Sequence, residues 1–311
     1  MRTLGSTGLR ISAVTLGGGP LGNQPEFWGY ETPAERAEAV VRTVLRSPIR
    51  AIDTANGYSD GQSERRIGRA VAAAGGLPDD FLIMTKVDAR DGDYSGRRVR
   101  ESVDESRQRL GLDVLPLVHL HDPEYFDFEE LSGPGGAVAA LVALKDEGVI
   151  EHLGLAGGPT PRMQRYLDLG VFEVLLVHNR WTLVDRSADE IIANAAAAGI
   201  GVVNAAVYGG GILAAPRSGS VSYGYRQASR ETLTAVARMA DLCDQAGTDL
   251  ATAALQFSLR DRRIASTIVG SSRPERVAGL INSAAARLPE EFWARIEELV
   301  PGPQNWLDHQ G

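Results

Sequence analysis

The segment AIDTANGYSDGQSERRIGRAV (51–71) changes character halfway along its length. It opens with a short apolar run that ends at Asp53, which is typical of a buried strand. It closes with Ile67, Ala70 and Val71 on one face, which is typical of an amphipathic helix, and Ser63 is placed to cap that helix. Tyr58 lies between the two patterns in a glycine-containing turn. The segment therefore predicts a strand–loop–helix unit with a carboxylate at the strand end and a phenol on the loop.

The same unit recurs along the whole chain, because short β-branched runs alternate with amphipathic stretches. Strands are predicted at 13–17, 50–55, 81–87, 115–121, 151–156, 174–179, 201–206 and 266–270. No linker or break in composition interrupts them, so we expect a single domain spanning 1–311. No strand is followed by GxGxxG, as an open dinucleotide-binding sheet would usually require. We therefore predict an α/β fold, a single (β/α)8 TIM barrel, with residues 2–12 forming an N-terminal β-hairpin that caps the barrel floor.

Composition narrows the class of partner. The chain has 311 residues and a net charge of −8, which argues against nucleic acid or an anionic membrane as partner. We find no run of 18 uncharged apolar residues that could span a bilayer. The single cysteine, Cys243, cannot form an internal disulfide and is expected to be a buried structural thiol, which favours a cytoplasmic location. We expect a monomer or a small homo-oligomer that acts on a small molecule.

Polar residues end three consecutive strands. Asp53, Lys86 and His121 each continue the alternating face of an apolar strand, and strand ends meet at the C-terminal mouth of a barrel. A buried anion and a buried cation are tolerated there only if they pair. A purely structural salt bridge between Asp53 and Lys86 remains the alternative to a functional role.

Tyr58 favours the functional alternative. A free phenol has a pKa of about 10 and is a poor proton donor at neutral pH. A nearby lysine ammonium lowers that pKa, an aspartate holds the lysine charged, and a histidine offers a second contact to a bound oxygen. Asp53, Tyr58, Lys86 and His121 together predict proton transfer to or from an alcohol or carbonyl oxygen.

With these residues in place, the chain resembles the aldo-keto reductase superfamily over nearly its whole length. The resemblance is carried in order by AIDTANGYSDGQSERRIG, FLIMTKV, VRESVDESRQRLGLDVLPLVHLHDPE, LKDEGVIEHLGLA and IVGSSRPERVAGLI. It implies a barrel oxidoreductase that binds NAD(P)(H) without a Rossmann domain and needs no metal. It further implies that Tyr58 is the general acid/base, that Lys86 lowers its pKa, that Asp53 pairs with Lys86, and that His121 orients the substrate oxygen.

The second half of the chain is similar to the bacterial aldose 1-dehydrogenase branch, the L-fucose and D-threo-aldose dehydrogenases. Residues 172–213 carry this resemblance. Those enzymes oxidise a cyclic sugar hemiacetal to a lactone, so an aldose is the expected substrate. A general aldehyde or ketone reductase, including one for pyridoxal, is the alternative within the superfamily. A non-catalytic nicotinamide-sensing subunit is a third possibility, since some barrels of this kind serve as regulatory subunits.

The resemblance also implies a set of cofactor contacts, and several positions depart from the family pattern. Ala156 and Gly157 stand where the family has Ser-Asn for the nicotinamide carboxamide, so His178 or Asn179 is expected to take over that contact. Gly270 replaces the usual lysine for a 2′-phosphate, while Arg273 adds a cation, so the choice between NAD and NADP stays open. The full expected set is Gly18, His178, Asn179, Ala205, Gly211, Leu213, Gly270, Ser271, Arg273 and Arg276.

Two further expectations concern side chains near the mouth. Trp28 and Trp181 follow the first and sixth strands, and either stacking on a sugar ring or ordinary loop packing would explain them. The residues 207–228 are rich in glycine and serine, which is typical of a mobile loop over a site. His119, His121, His152 and His178 also raise the possibility of a metal hydrolase, but His152 begins its strand and is therefore expected at the barrel floor. His119 is expected to be a hydrogen-bonded core residue.

Overall fold

Eight parallel strands close into a barrel in the computed structural model, which describes residues 1–309. In chain order they are β1 (Val14–Gly17), β2 (Ala51–Asp53), β3 (Leu82–Val87), β4 (Leu115–His121), β5 (Ile150–Gly157), β6 (Val174–His178), β7 (Gly201–Ala205) and β8 (Ile264–Gly270). Each strand pairs with its neighbours in sequence, and β8 pairs with β1 to complete the ring. The predicted TIM barrel is confirmed, and every predicted strand is present within a few residues of its expected bounds.

Helices surround the barrel. They are α1 (Pro25–Trp28), α2 (Ala34–Leu45), α3 (Gln62–Ala73), α4 (Gly96–Leu110), α5 (Phe128–Ser132), α6 (Ala137–Asp146), α7 (Thr160–Leu167), α8 (Asp189–Ala197), α9 (Arg230–Gln245), α10 (Leu250–Arg260), α11 (Glu275–Ala285) and α12 (Glu290–Glu297). Their apolar faces bury against the outside of the sheet; Ile67, Ala70 and Val71 of α3 do so as predicted. No helix among residues 1–309 is both long and apolar enough to cross a bilayer.

The serine predicted to cap α3 has a different role. The residue before the helix is Gly61, at φ 77°, which has no side chain that could cap the helix. Ser63 lies inside the first turn, where its hydroxyl donates to the carbonyl of Gly18 at 2.8 Å and meets the Thr54 hydroxyl at 2.9 Å. The expectation of a cap was wrong because tertiary contacts to the ends of β1 and β2 engage this hydroxyl instead.

The N-terminal hairpin closes the floor of the barrel, as predicted. Its strands Arg2–Thr3 and Arg10–Ile11 pair in antiparallel fashion. The Arg2 guanidinium donates to the carbonyl of Ile264, at the start of β8, at 2.8 Å. Leu4 and Ile11 are fully buried and join an interior core that includes Ala51 of β2 and Val174 of β6. The hairpin therefore removes the lower ends of the strands from water and leaves the opposite end as the open mouth.

The 207–228 segment is partly ordered by secondary structure of its own. It contains a short 3₁₀ turn at Gly209–Gly211 and a small hairpin of Ser222–Tyr223 with Arg226–Gln227. The Tyr223 hydroxyl is buried and bonds to the Thr182 hydroxyl at 2.7 Å. Elsewhere, Cys243 is fully buried, and burial raises the pKa of its thiol to about 12, which matches the expected structural thiol.

Gly5 and Gly8 provide a matched test of the floor. Both adopt positive φ, but a Cβ at Gly5 would lie 2.2 Å from the Gly201 amide nitrogen, whereas one at Gly8 meets nothing within 4 Å. Gly8→Ala should cost only backbone strain, about 1–2 kcal/mol of unfolding free energy. Gly5→Ala should cost a further ~1–3 kcal/mol, because the floor must move to make room. Urea denaturation of both variants measures the difference; equal losses would show that the hairpin does not seal the floor tightly.

Candidate active site at the barrel mouth

A buried ion pair joins β2 and β3 at the mouth. Lys86 Nζ lies 2.7 Å from Asp53 Oδ2, and the two side chains are 2% and 5% exposed. The same ammonium donates to the carbonyl of Thr54 at 2.7 Å. Parallel pairing places Asp53 beside Met84, two residues before Lys86, so both side chains point into the same end of the barrel.

Tyr58 reaches this ion pair from the loop after β2. Its hydroxyl lies 3.2 Å from Lys86 Nζ, and the same nitrogen is 4.7 Å from the centre of the phenol ring. The ammonium thus has three oxygen partners, which satisfies the donors of a lysine nitrogen. The structure brings the predicted Asp53, Lys86 and Tyr58 together in one cluster, in which Asp53 and Lys86 are buried and Tyr58 is partly exposed.

The protonation of Tyr58 differs from the expectation. Burial raises the pKa of Tyr58 to about 12, and the Lys86 charge opposes that shift without overcoming it. The Lys86 charge acts in the expected direction, but the nearby Asp53 charge acts against it. Lys86 therefore lowers the pKa of Tyr58 as expected, but the net pKa is raised and not lowered, and Tyr58 is a protonated phenol at neutral pH.

Lys86 remains charged within this cluster. Burial alone would lower its pKa, but the charge of Asp53 and the hydrogen bonds to Asp53 and Tyr58 raise the pKa of Lys86 above its usual value. Burial likewise raises the pKa of Asp53, and the charge of Lys86 opposes that rise. We regard the pair as ionised because the ammonium is held by three acceptors and each charge is the nearest partner of the other.

His121 completes the predicted set from the end of β4. Its ring meets the Tyr58 ring edge to face, with centroids 5.7 Å apart. The backbone of His121 is anchored by Tyr94, whose hydroxyl accepts from the His121 N–H at 2.9 Å and donates to the Val87 carbonyl at 2.7 Å. This clamp ties the ends of β3 and β4 together and sets the height of the imidazole at the mouth.

Sequence reasoning missed Asp88, which binds the other side of the imidazole. Asp88 Oδ1 lies 2.6 Å from His121 Nδ1, and Oδ2 accepts from the Gly57 N–H at 2.6 Å. A signal was present, because Asp88 extends the inward face of β3 by two residues beyond Lys86. Burial would raise the pKa of this carboxyl, but the charge of His121 and these hydrogen bonds hold the pKa of Asp88 below its usual value.

His119 lies one layer deeper and is a core residue, as expected. It is fully buried, and its Nδ1 meets the Thr85 carbonyl at 3.3 Å. Burial lowers the pKa of His119 to about 3, so the ring is neutral. A Cβ at Gly154 of β5 would lie 2.3 Å from this ring, so the glycine makes room for the imidazole. His152 bonds instead to Glu173 near the floor, through Nδ1 at 2.9 Å.

A second polar group lies beside His121. One donor atom from each of Asp122, Glu124 and His178 falls within 4.8 Å of the others, and among the described residues this is the group that could share a metal ion. Burial lowers the pKa of His178 to about 4, so its ring is neutral. The Asn179 amide lies 3.1 Å from His178 Nδ1, so the two residues expected to hold a carboxamide already contact each other.

The remaining expected cofactor contacts line one side of the mouth, between β7, β8 and β1. Arg273 and Arg276 are exposed at the start of α11, and neither makes an ion pair within residues 1–309. Ser271 is buried and its hydroxyl donates to the Arg273 carbonyl at 3.1 Å, while Gly270 is exposed at the end of β8. These two free cations at a helix N-terminus are suited to phosphate groups.

The other expected contacts offer mainly backbone or small surfaces. Gly18 is pressed against β2, where its N–H donates to the Asp53 carbonyl at 2.7 Å. Ala205 ends β7 beside His178 and keeps partial exposure. Gly211 has open space where a side chain would be, whereas Leu213 is fully buried and presents no surface to a ligand.

The two tryptophans predicted to contact a sugar have different surroundings in the structure. A Cβ on Gly19 would lie 3.3 Å from the Trp28 ring and 3.8 Å from the Tyr58 ring, so Trp28 faces the mouth next to Tyr58. Trp181 is 8% exposed, and its ring lies 5.4 Å from that of Phe257 on α10. The Arg263 guanidinium, which precedes β8, lies 5.0 Å from the same ring. Trp181 therefore packs between the sheet and the outer helices, and the expectation that it stacks on a sugar is corrected.

Comparisons with known proteins agree with this geometry. A family model described as the Aldo/keto reductase family matches residues 13–301. Pyridoxal 4-dehydrogenase of Microbacterium luteolum is 30% identical, over 96% of this chain and 97% of that protein. D-threo-aldose 1-dehydrogenase of a Pseudomonas species is 29% identical, over 96% and 97%. An aldo-keto reductase from Bacillus halodurans, solved in its holo form, shares the fold with a TM-score of 0.80 at 23% identity, covering 100% of this chain and 99% of that one.

Removing Lys86 should show how much an unpaired, buried Asp53 carboxylate lowers the free energy of unfolding. Lys86→Met leaves Asp53 without its cation and should lower the unfolding free energy by about 3–5 kcal/mol. A carboxyl whose pKa is raised in the folded state loses its stabilising effect as pH rises through that pKa, so the deficit should grow from acidic to neutral pH. Urea denaturation across this range measures both effects. Asp53→Asn in the same background should recover stability; no recovery would mean that the buried charge is not the cause.

Proposed function

The chain belongs to the aldo/keto reductase family of oxidoreductases, and from this premise we propose that it oxidises the anomeric carbon of an aldose to a lactone with NAD(P). The observation that carries the chemistry is the Tyr58 hydroxyl, 3.2 Å from the buried Lys86 ammonium and edge-on to His121. The choice of an aldose is supported by the 29% identity to D-threo-aldose 1-dehydrogenase, which spans nearly both chains.

In this proposal Tyr58 is the group that moves a proton. In the reductive direction its phenol O–H gives a proton to the substrate carbonyl oxygen, and the negative charge that develops on Tyr58 is stabilised by Lys86. In the oxidative direction the phenolate takes the proton of the hemiacetal hydroxyl as the carbonyl forms. Because burial raises the pKa of Tyr58 to about 12, alkaline solution favours the oxidative direction.

The roles of the other three residues follow from their contacts. Asp53 keeps Lys86 oriented through its 2.7 Å ion pair and therefore acts on Tyr58 only through the lysine. His121 lies beside Tyr58 and binds the same substrate oxygen, so the substrate is held between two polar groups. Trp28 forms an apolar wall next to Tyr58, against which a sugar ring would pack.

The mouth fits a nicotinamide dinucleotide. Arg273 and Arg276 are exposed cations without ion partners in the described chain, and they suit the phosphates. In this proposal Gly18, Gly211, Gly270 and Ser271 offer backbone or small polar contacts, and His178, Asn179 and Ala205 border the nicotinamide ring. When bound, the nicotinamide supplies C4, which accepts or gives the hydride. Two arginines are compatible with either NAD or NADP.

Two alternatives have specific support. The 30% identity to pyridoxal 4-dehydrogenase favours an aromatic aldehyde or its alcohol as substrate. Ala156 and Gly157, which lack the polar side chains that the family uses for the carboxamide, are compatible with a subunit that senses the nicotinamide without turnover. A panel of L-fucose, D-arabinose, L-galactose and pyridoxal, each with NAD and NADP, distinguishes these possibilities by the absorbance of the reduced nicotinamide.

Tyr58→Phe tests the proton-transfer role directly. The variant loses only the hydroxyl oxygen, so the fold and the affinity for NADPH should be unchanged. Turnover of the best substrate in the panel should fall by about 10²–10⁴-fold, the usual contribution of general acid/base catalysis. Steady-state rates and fluorescence titration with NADPH give the two readouts. Turnover at the wild-type rate would refute the role of Tyr58, and cofactor binding with no turnover of any substrate in the wild type would favour the sensor.

Arg276→Ala tests the position of the cofactor. Loss of a phosphate contact should weaken NADPH binding by about tenfold, which corresponds to about 1.4 kcal/mol. A smaller loss for NADH would indicate that Arg276 contacts the 2′-phosphate. Arg262→Ala, at the opposite end of β8, is the control and should leave both affinities unchanged. Unchanged affinities in Arg276→Ala would place the dinucleotide elsewhere.

A further inference from the structure

We propose that Asp88 is a positioning residue that keeps His121 in its cationic form, so that the substrate oxygen meets a charged N–H donor. The proposal rests on the proposed function, because it assumes that the substrate oxygen binds at His121 Nε2. It starts from the contact of Asp88 Oδ1 with His121 Nδ1, which is 2.6 Å long. A carboxylate accepts and does not donate, so this contact requires a proton on Nδ1.

The proton on Nδ1 decides what Nε2 can do. A neutral imidazole carries one ring proton, and here that proton is taken by the contact with Asp88. Nε2 of a neutral His121 would therefore present a lone pair to a carbonyl oxygen, and two acceptors repel. Only the imidazolium has a second N–H, on Nε2, that can donate to the substrate. Asp88 thus makes donation by His121 depend on the charge of the ring.

The surroundings of His121 favour that charge. Burial opposes the imidazolium, but the charges of Asp88 and Asp122 and the hydrogen bond to Asp88 together raise the pKa of His121 above its usual value. Asp122 Oδ2 lies 3.8 Å from Nε2, beside the position proposed for the substrate oxygen. The cation Lys86 faces His121 from β3 and opposes its charge, whereas the Asp53 carboxylate on β2 favours it. His119, His178 and Tyr58 face His121 as neutral groups.

Asp88 also couples His121 to the loop that carries Tyr58. Its second oxygen accepts from the Gly57 N–H at 2.6 Å, one residue before Tyr58. A Cβ at Gly57 would lie 2.9 Å from the Asp88 carboxyl carbon, so the glycine permits this close approach. One carboxylate therefore holds the imidazole and the phenol loop in fixed relation, and a test must separate the effect of charge from this mechanical role.

Asp88→Asn makes that separation, because it keeps the shape and removes the charge. The amide oxygen can still accept from Gly57, and the amide nitrogen can donate to His121 Nδ1, which then carries a lone pair. The neutral ring would hold its proton on Nε2 and remain a donor at every pH above its own pKa. The variant should therefore change the pH dependence of carbonyl reduction while it keeps the contacts of residue 88 with Gly57 and His121.

The first measurement is kcat/KM for reduction of 4-nitrobenzaldehyde, a probe carbonyl, against pH. In the wild type it should fall about tenfold per pH unit above the pKa of His121, as the charged donor is lost. In Asp88→Asn this alkaline fall should disappear, with a change of less than about twofold over the same range. Asp122→Asn, the neighbouring isosteric control, should keep the fall. An alkaline fall that is unchanged in Asp88→Asn would overturn the proposal.

The second measurement needs no turnover, and its result is read from the wild-type protein. Nuclear magnetic resonance of ring nitrogens in the wild type, assigned with His121→Gln, should show His121 protonated to above its ordinary pKa of about 6.5. The neutral form that appears at higher pH should carry its proton on Nδ1. Titration below the ordinary value, or a neutral form protonated on Nε2, would refute the role of Asp88 even if the enzyme proved active. If His121 shows the expected pKa and protonation but no substrate is turned over, only the proposed function is refuted.

Discussion

The buried Lys86 ammonium is the constraint on which the mouth of the barrel depends. A charge that is 2% exposed is tolerated only if its donors find oxygen partners, and Asp53, Thr54 and Tyr58 supply them. These partners come from the end of β2 and the loop that follows it. The same requirement that keeps the fold stable therefore brings the phenol to the point where the strands of the barrel open to solvent.

Two basic side chains, each paired with a carboxylate, lie side by side at this point. Lys86 is paired with Asp53, and His121 is paired with Asp88 through a 2.6 Å contact. Tyr58 contacts both Lys86 and His121, yet burial outweighs the attraction of the Lys86 charge for a phenolate, and the pKa of Tyr58 rises to about 12. The resting site therefore holds a protonated phenol beside groups that stabilise negative charge, which is the arrangement that a proton donor to a carbonyl oxygen requires.

Much of this arrangement could be predicted from the sequence. Parallel barrel strands are buried on both faces and appear as short apolar runs. The strand positions and the inward side chains Asp53, Lys86 and His121 could therefore be predicted from the sequence. Asp88 was missed because it lies one residue beyond the end of β3, although it extends the inward alternating face of that strand. The pKa of Tyr58, the contacts of Ser63 and the packing of Trp181 all depend on how loops fold back on the barrel, and local sequence does not contain that information.

The central claim is that Tyr58 and His121 bind one substrate oxygen at the rim of the barrel. A crystal structure of the protein with oxidised nicotinamide cofactor and an aldonolactone tests it most directly. The account predicts that the lactone carbonyl oxygen lies within about 2.6–3.2 Å of both Tyr58 Oη and His121 Nε2. A lactone bound in the mouth with its carbonyl oxygen out of reach of Tyr58 would contradict it.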